Sequence, residues 1–292
     1  MDPISVAVER GGVVEATHRV HAVRVRGGQV VEAWGDPGLV TFMRSAAKPF
    51  QALALVRARA ELSEEELAVA CASHGAAPEQ LAAVETLLAR SGSSEEDLEC
   101  GAEDGSRLRH NCSGKHAGML YACTLRGWER RGYRLAEHPL QRELLALVEE
   151  ATESMVEGTA VDGCGVVTFA LPLASMANGF ARLGKKELVG AREIVAAMTG
   201  HPELVEGTGR AATEVMCALP GAVAKGGAEG LLGVGSPDGT GYALKVEDGA
   251  SRAVVPAAGL VLGLPALVGT PLANSRGEEV GKIRPSSFSA EL

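Results

Sequence analysis

Aromatic side chains are scarce in this sequence, 3% of residues against 46% hydrophobic. A core with so few rings has to be packed from Ala, Val and Leu. No run reaches the ~18 uninterrupted apolar residues of a membrane span. The nearest, "VVPAAGLVLGLPALVG" (254–269), is short and broken by Pro and Gly. There is no block of Lys or Arg, and 28 basic residues face 37 acidic ones, for a net charge of −9. That argues against a nucleic-acid binder. The start, "MDPISVAVERGGVVE", has neither a basic leader nor a long apolar segment. No signal peptide is therefore expected, and the protein is expected in the cytoplasm. The cysteines are few and dispersed: Cys71, Cys100, Cys112, Cys123, Cys164 and Cys217. They point to reduced thiols or a metal site rather than a disulfide framework. No repeat or low-complexity linker divides the 292 residues, so residues 1–292 are expected to form one domain.

The residues that are present obey two periods. Residues 4–43 read as strands: "THRVHAVRVRGGQVVEAWG" alternates around the turn signal Gly27-Gly28. From Ser45 the pattern becomes helical. The expected helices are "SAAKPFQALALVRARA", "LSEEELAVACASHG" with Ser63 as cap, "APEQLAAVETLLARSG" with a Gly stop, "SGKHAGMLYACTLRGW", "HPLQRELLALVEEATE" and "GKKELVGAREIVAAMTG". "TAVDGCGVVTFALPL" (159–173) reads as a short strand or loop entering a helix. After Leu219 short Val/Leu/Ala runs return, split by "SPDGTG", a hairpin signal. The expectation is an α+β fold. Its antiparallel sheet is built from N- and C-terminal strands (1–44 and 219–292), and 45–218 is mainly helical.

Four groups of residues carry possible chemistry. In "MRSAAKPFQALAL", Ser45 and Lys48 stand three apart at the head of a helix, where side chains can meet. A lysine that is buried and near the positive helix end loses its proton more easily, and can activate a serine. The plain alternative is a helix start, with Ser as cap and Pro49 in the first turn. Lys225, in "VAKGGAEG", sits on an expected strand followed by small residues and suits a second cation. Ser73, in "ASHGAAPE", suits a second hydroxyl that relays a proton. Alone they also read as a turn lysine and a helix-end serine, but the order Ser-x-x-Lys, Ser, Lys-Gly-Gly favours a joint reading. Last, "RHNCSGKHAGM" and "VDGCGVV" bring Cys112, Lys115, His116, Asp162 and Cys164 into two short segments. Two thiolates with nitrogen donors suit Zn²⁺; two buried thiols and a helix cap are the alternative. Cys71, Cys123 and Cys217 lie in apolar helical runs and are expected in the core. Cys100 reads as an incidental loop residue.

"FMRSAAKPFQ", "CASHG", "HNCSGKHAGML", "VDGCGVVTFALPL" and "AKGGAEG" together resemble the L-asparaginase II family of the Rhizobium etli type, the class 3 asparaginases. The resemblance runs from about residue 5 to 288. It implies a fold akin to serine β-lactamases and glutaminases, a homodimer, and hydrolysis of L-asparagine to L-aspartate and ammonia. It pairs Ser45 with Lys48 and Ser73 with Lys225 as catalytic residues. It makes Cys112, Lys115 and Cys164 zinc ligands, with Asp162 holding a zinc-bound water, and it places Arg44 and His116 at the substrate. Three rival readings are a zinc hydrolase whose metal-bound water attacks, a penicillin-recognising serine hydrolase, and a non-catalytic amino-acid binder.

Overall fold

Paired glycines open the fold. Gly11-Gly12 and Gly27-Gly28 all have positive φ, the backbone that tight hairpins need and that other residues resist. They join β1 (Ile4–Arg10), β2 (Val13–Arg26) and β3 (Gln29–Trp34). A computed structural model describes residues 1–286. The chain continues through β4 (Val40–Phe42), then α1 (Lys48–Arg57), α2 (Glu64–Ala70), α3 (Pro78–Ser91), α4 (Ser113–Arg126) and α5 (Pro139–Thr152). A hairpin of β5 (Gly158–Val161) and β6 (Val167–Pro172) leads into α6 (Leu173–Gly184), α7 (Ala191–Gly200), α8 (Pro202–Val205) and α9 (Ala211–Ala218). The last part is β7 (Val223–Gly227), β8 (Leu231–Gly235), β9 (Thr240–Val246), α10 (Val254–Leu262), β10 (Thr270–Ala273) and β11 (Glu279–Pro285).

The larger sheet runs β10-β11-β1-β2-β9-β8-β7, with β3 also on β2. Every pairing is antiparallel. First and last strands of the sequence therefore meet in the middle of one sheet, β1 against both β2 and β11. The molecule is a mixed helix and antiparallel-sheet fold. α6 packs on β2, β8 and β9. Its close approach depends on glycines: a Cβ on Gly233 would enter the Phe180 ring, and one on Gly235 or Gly241 would strike the backbone of α6. Phe180 also meets Phe50 of α1 edge-on, with centroids 5.1 Å apart. The rest of the core is mostly Ala, Val and Leu, as the shortage of rings requires.

Several elements depart from the sequence expectation. The stretch 45–218 contains β5 and β6, which join β4 in a second sheet of order β4-β6-β5. The C-terminal stretch 219–292 contains α10, formed by the apolar run at 254; residues 287–292 lie outside the described ones. The first helix starts at Lys48, after a 3-10 turn over Arg44–Ala47. The helix expected from 184 begins only at Ala191, because Lys186 and Gly190 have positive φ and break it. Cys71 and Cys123 are buried as expected, but Cys217 is exposed on the outer side of α9, and Cys100, read as incidental, is buried. Among the described residues no helix is long and apolar enough to cross a membrane.

Candidate active site

The site begins at a bend. Arg44 has φ 49°, the left-handed region, which costs an ordinary residue roughly 1–2 kcal/mol. The second sheet holds it there: Arg44 N–H donates to Thr168 Oγ1 of β6 at 3.1 Å, and Nε donates to Asp162 Oδ1 at 2.5 Å. The bend turns the chain into the 3-10 turn, which packs on β7 and β6. Ser45 lies in that turn. It is not a cap: the residue preceding α1 is Ala47, and no side chain caps the helix. Among the described residues the Ser45 hydroxyl has no hydrogen-bond partner, and it lines a cavity of about 600 Å³.

Lys48, the first residue of α1, is fully buried. Its Nζ donates to Ser73 Oγ at 2.9 Å and to Ala72 O. No carboxylate touches it. Burial lowers its pKa from 10.5 to about 8; Cys112 opposes the shift, and the positive charges of Lys225 and Lys115 add to it.

Ser73 is positioned by the loop after α2. That helix starts in a reciprocal capping box of Ser63 and Glu66 and ends three residues before Ser73. Ser73 N–H donates to Val205 O at 2.7 Å, and His74 N–H to Asn111 O at 3.2 Å. The His74 ring then ties this loop to α4. Its Nε2 donates to Ser113 Oγ at 2.8 Å, since Ser113 itself donates to Leu108 O, while Nδ1 accepts from Ala76 N–H. Burial pushes His74 down to about 4, so it is neutral. Ser73 is buried yet reaches the same cavity as Ser45.

Lys225 lies on β7, the edge strand of the larger sheet, and is fully buried. Its Nζ donates to Glu206 Oε1 at 2.5 Å and to Gly226 O at 2.9 Å. Glu206 is buried too, and accepts from Gly226 N–H at 3.0 Å and Ala212 N–H at 3.2 Å. Burial alone would raise its pKa, but Lys225 outweighs this and holds the carboxylate ionised. Sequence reasoning missed Glu206. Its partner is 19 residues away on a strand, beyond any helical or hairpin spacing; the only sign was an acid between an apolar stretch and "GTG". The hydrogen bonds thus pair Lys48 with Ser73 and Lys225 with Glu206, whereas the resemblance pairs Lys48 with Ser45 and Lys225 with Ser73. Ser45, Ser73, Glu206 and Gly226 share one cavity wall, joined by Arg210 and Arg252.

A second cluster lies to the side. Cys112 precedes α4, Lys115 lies in its first turn, and Cys164 sits in the β5–β6 turn; all three are buried. Lys115 Nζ is 3.0 Å from Cys164 Sγ. Cys112 Sγ donates to Asn111 Oδ1 at 3.2 Å, and the interaction of the two thiols pushes Cys112 down and Cys164 up. Burial lowers the Lys115 pKa, but the two sulfurs outweigh it and raise it. Asp162 faces Arg44 and its own turn, accepting from Gly163 N–H at 2.7 Å. His116 is buried; its Nδ1 is 2.6 Å from Tyr133 Oη, and its Nε2 has no partner. Among the described residues no three His, Cys, Asp or Glu converge, so the donor set is two sulfurs and one amine. Soft, buried and convergent, it suits Zn²⁺. Arg44, His116 and these three ligand candidates are not on the cavity wall.

The chain matches the model of the family described as L-asparaginase II over residues 6–285. No curated protein matches it. Two solved structures are similar, titled "Crystal Structure Analysis of Mglu" and "Crystal Structure Analysis of Mglu in its tris and glutamate form". Each is 16% identical with a TM-score of 0.39. The matches cover 87% and 94% of this chain, which spans about two thirds of those chains, 69% and 66%. Since the family model covers nearly its whole length, the chain belongs to the L-asparaginase II family and is a hydrolase of the L-asparaginase class.

Proposed function

We propose that the protein hydrolyses L-asparagine to L-aspartate and ammonia by serine–lysine acyl transfer. One observation carries this reading: a fully buried lysine without a carboxylate partner, Lys48, hydrogen-bonds Ser73 and follows Ser45 by three residues, and both serines open onto one cavity. Desolvation makes a neutral Lys48 accessible near pH 8, which is what a lysine base requires. Ser45, three residues before Lys48 and with its hydroxyl unbonded among the described residues, attacks the side-chain amide carbon. Its proton passes to Lys48. Ser73, already hydrogen-bonded to Lys48, returns a proton to the leaving ammonia. Lys225, paired with Glu206, stabilises negative charge on the reacting carbonyl. Water then hydrolyses the β-aspartyl ester by the same route.

Cys112, Lys115 and Cys164 are the residues that would hold Zn²⁺, with Asp162 close enough to influence Lys115. When bound, the ion supplies a Lewis acid that polarises and fixes a ligand oxygen. Lys115 must first give up its proton. The resemblance places Arg44 and His116 at the substrate, but neither lines the cavity. The order Ser-x-x-Lys, Ser, and Lys-Gly-Gly on an edge strand supports a scaffold like that of serine β-lactamases and glutaminases. The reading takes the chain as one domain in the cytoplasm, as its composition suggests, and, on the strength of the family resemblance, as a homodimer.

A second reading makes Ser73 the nucleophile, because it is Ser73 whose Oγ is 2.9 Å from Lys48 Nζ. Ammonia release by Ser45→Ala and Ser73→Ala, with L-asparagine and L-glutamine in parallel, tests both. Loss of a nucleophile costs roughly 10⁴-fold or more. Quenching during turnover and mapping the +aspartyl adduct by peptide mass spectrometry identifies the acylated serine. A variant lacking both serines that keeps its rate would hand the chemistry to a metal-bound water.

A further inference from the structure

An amino-acid substrate brings a carboxylate that needs a cation at the cavity. The resemblance places Arg44 at the substrate, where its guanidinium would suit that carboxylate, but Arg44 is not on the cavity wall and its Nε is held by the Asp162 carboxylate. Two arginines are, Arg210 and Arg252, and they are held differently. The Arg210 side chain has no hydrogen bond or ion pair among the described residues. Arg252 donates Nε to His18 Nε2 at 2.9 Å. Nε can only donate, so Nε2 accepts and the ring proton sits on Nδ1. Nδ1 then donates to Asp248 Oδ2 at 2.7 Å. His18 is buried in β2, 5% exposed. Asp248 is fixed in turn, its Oδ1 accepting from Ala250 N–H at 3.0 Å. The chain Asp248–His18–Arg252 thus leads from the sheet to the cavity wall. It occupies Nε and leaves the two terminal NH₂ groups free, the fork that grips a carboxylate with two parallel bonds.

We infer that Arg252, oriented by His18 and Asp248, binds the α-carboxylate of the substrate and makes the cavity selective for free α-amino acids and their side-chain amides. The inference rests on the asparaginase reading for the substrate class, but binding tests it without turnover. Arg252 is a substrate-binding residue, and His18 is a positioning residue that acts through it.

The test is titration calorimetry of the purified full-length protein with L-aspartate, and with 3-aminopropanoate, the same molecule without its α-carboxylate. Arg252→Gln weakens L-aspartate by about 30–100-fold, the loss expected for a charge-assisted bidentate contact, and weakens 3-aminopropanoate by no more than about threefold. Arg210→Gln weakens L-aspartate less than Arg252→Gln does. His18→Gln, which keeps an acceptor for Nε and a donor for Asp248, retains more of the L-aspartate affinity than His18→Phe. Unfolding midpoints confirm that each variant is folded. Equal losses for the two ligands, no loss, or a larger loss in Arg210→Gln overturns the assignment while leaving the asparaginase reading in place. Failure of the wild type to bind L-aspartate overturns both. Selective loss in Arg252→Gln together with no ammonia release from L-asparagine sustains the assignment and overturns the asparaginase reading alone.

Discussion

Replacing Lys48 by Met separates activity from stability. The folded protein holds Lys48 at a pKa of about 8 against 10.5 when exposed. At about 1.4 kcal/mol for each tenfold change, burying this ammonium costs roughly 3 kcal/mol. Met fills similar space with no charge. It leaves Ala72 O and Ser73 Oγ without their donor, which gives back about 1–2 kcal/mol. Lys48→Met is therefore expected to abolish ammonia release and to stabilise the fold by about 1–2 kcal/mol at neutral pH, or roughly 2–6 °C in midpoint. The sign has a pH signature. Below about pH 8 both folded and unfolded states hold the proton, and the wild type carries the whole cost. Between about 8 and 10.5 the unfolded chain still binds the proton while the folded one has lost it. Wild-type stability gains on the variant there, so the gap narrows as pH rises. Denaturant melts of both proteins at about pH 7 and pH 10 read this directly. A variant no more stable than wild type at pH 7, or a gap that does not change with pH, would refute the burial argument.

Three further outcomes rest on the same geometry. The rate constant kcat/KM for L-asparagine rises with pH, reaches half its plateau near pH 8 and levels off above that, as Lys48 loses its proton; rates flat from about pH 6 to 9 would remove Lys48 as the base. Glu206→Leu leaves the Lys225 ammonium buried without its counter-charge and costs about 3–5 kcal/mol in urea melts, part of which Lys225→Met restores in the double variant; additive losses would deny the coupling. Protein purified with zinc present carries the metal by elemental analysis, releases it as pH falls because Lys115 and both thiols must be deprotonated to bind, and takes up little as Cys164→Ser; a wild type that takes up none would rule out the ligand set.

What could be read from the sequence was what local rules decide. The Gly27-Gly28 hairpin, the Ser63 cap and the Gly92 stop each depend on a few adjacent residues, and the structure repeats them. Lys225 was placed on a strand by its Val/Ala neighbours, and the topology puts that strand at the sheet edge. Residues 159–173 read as a short strand or loop, but their pairing with β4 into a second sheet escaped notice, because β5 is four residues long and β6 six, too short for alternation to stand out between glycines. α10 was hidden by its own hydrophobicity, since an apolar run shows no period. Cys217 misled for the reverse reason: the periodicity of α9 named a helix, but not which side faces solvent. The site was legible as a set of residue types and not as a set of partners. Hydrogen bonds between residues 25 and 19 positions apart, Lys48 with Ser73 and Lys225 with Glu206, are tertiary facts.

Those partners divide the labour between two lysines that the sequence presents alike. Both are fully buried, and both lie within reach of the same cavity wall. Lys225 faces a carboxylate that itself collects two backbone N–H groups. Lys48 faces only a hydroxyl and a carbonyl, so its proton is loose. The positive charge of Lys225 adds to the lowering of the Lys48 pKa, and the Glu206 carboxylate sits on Lys225 rather than on Lys48. Exchange of the two environments would leave a fixed cation beside the serines and no base. Glu206 therefore marks the difference between the two lysines: it pairs with Lys225 and leaves Lys48 without a counter-charge.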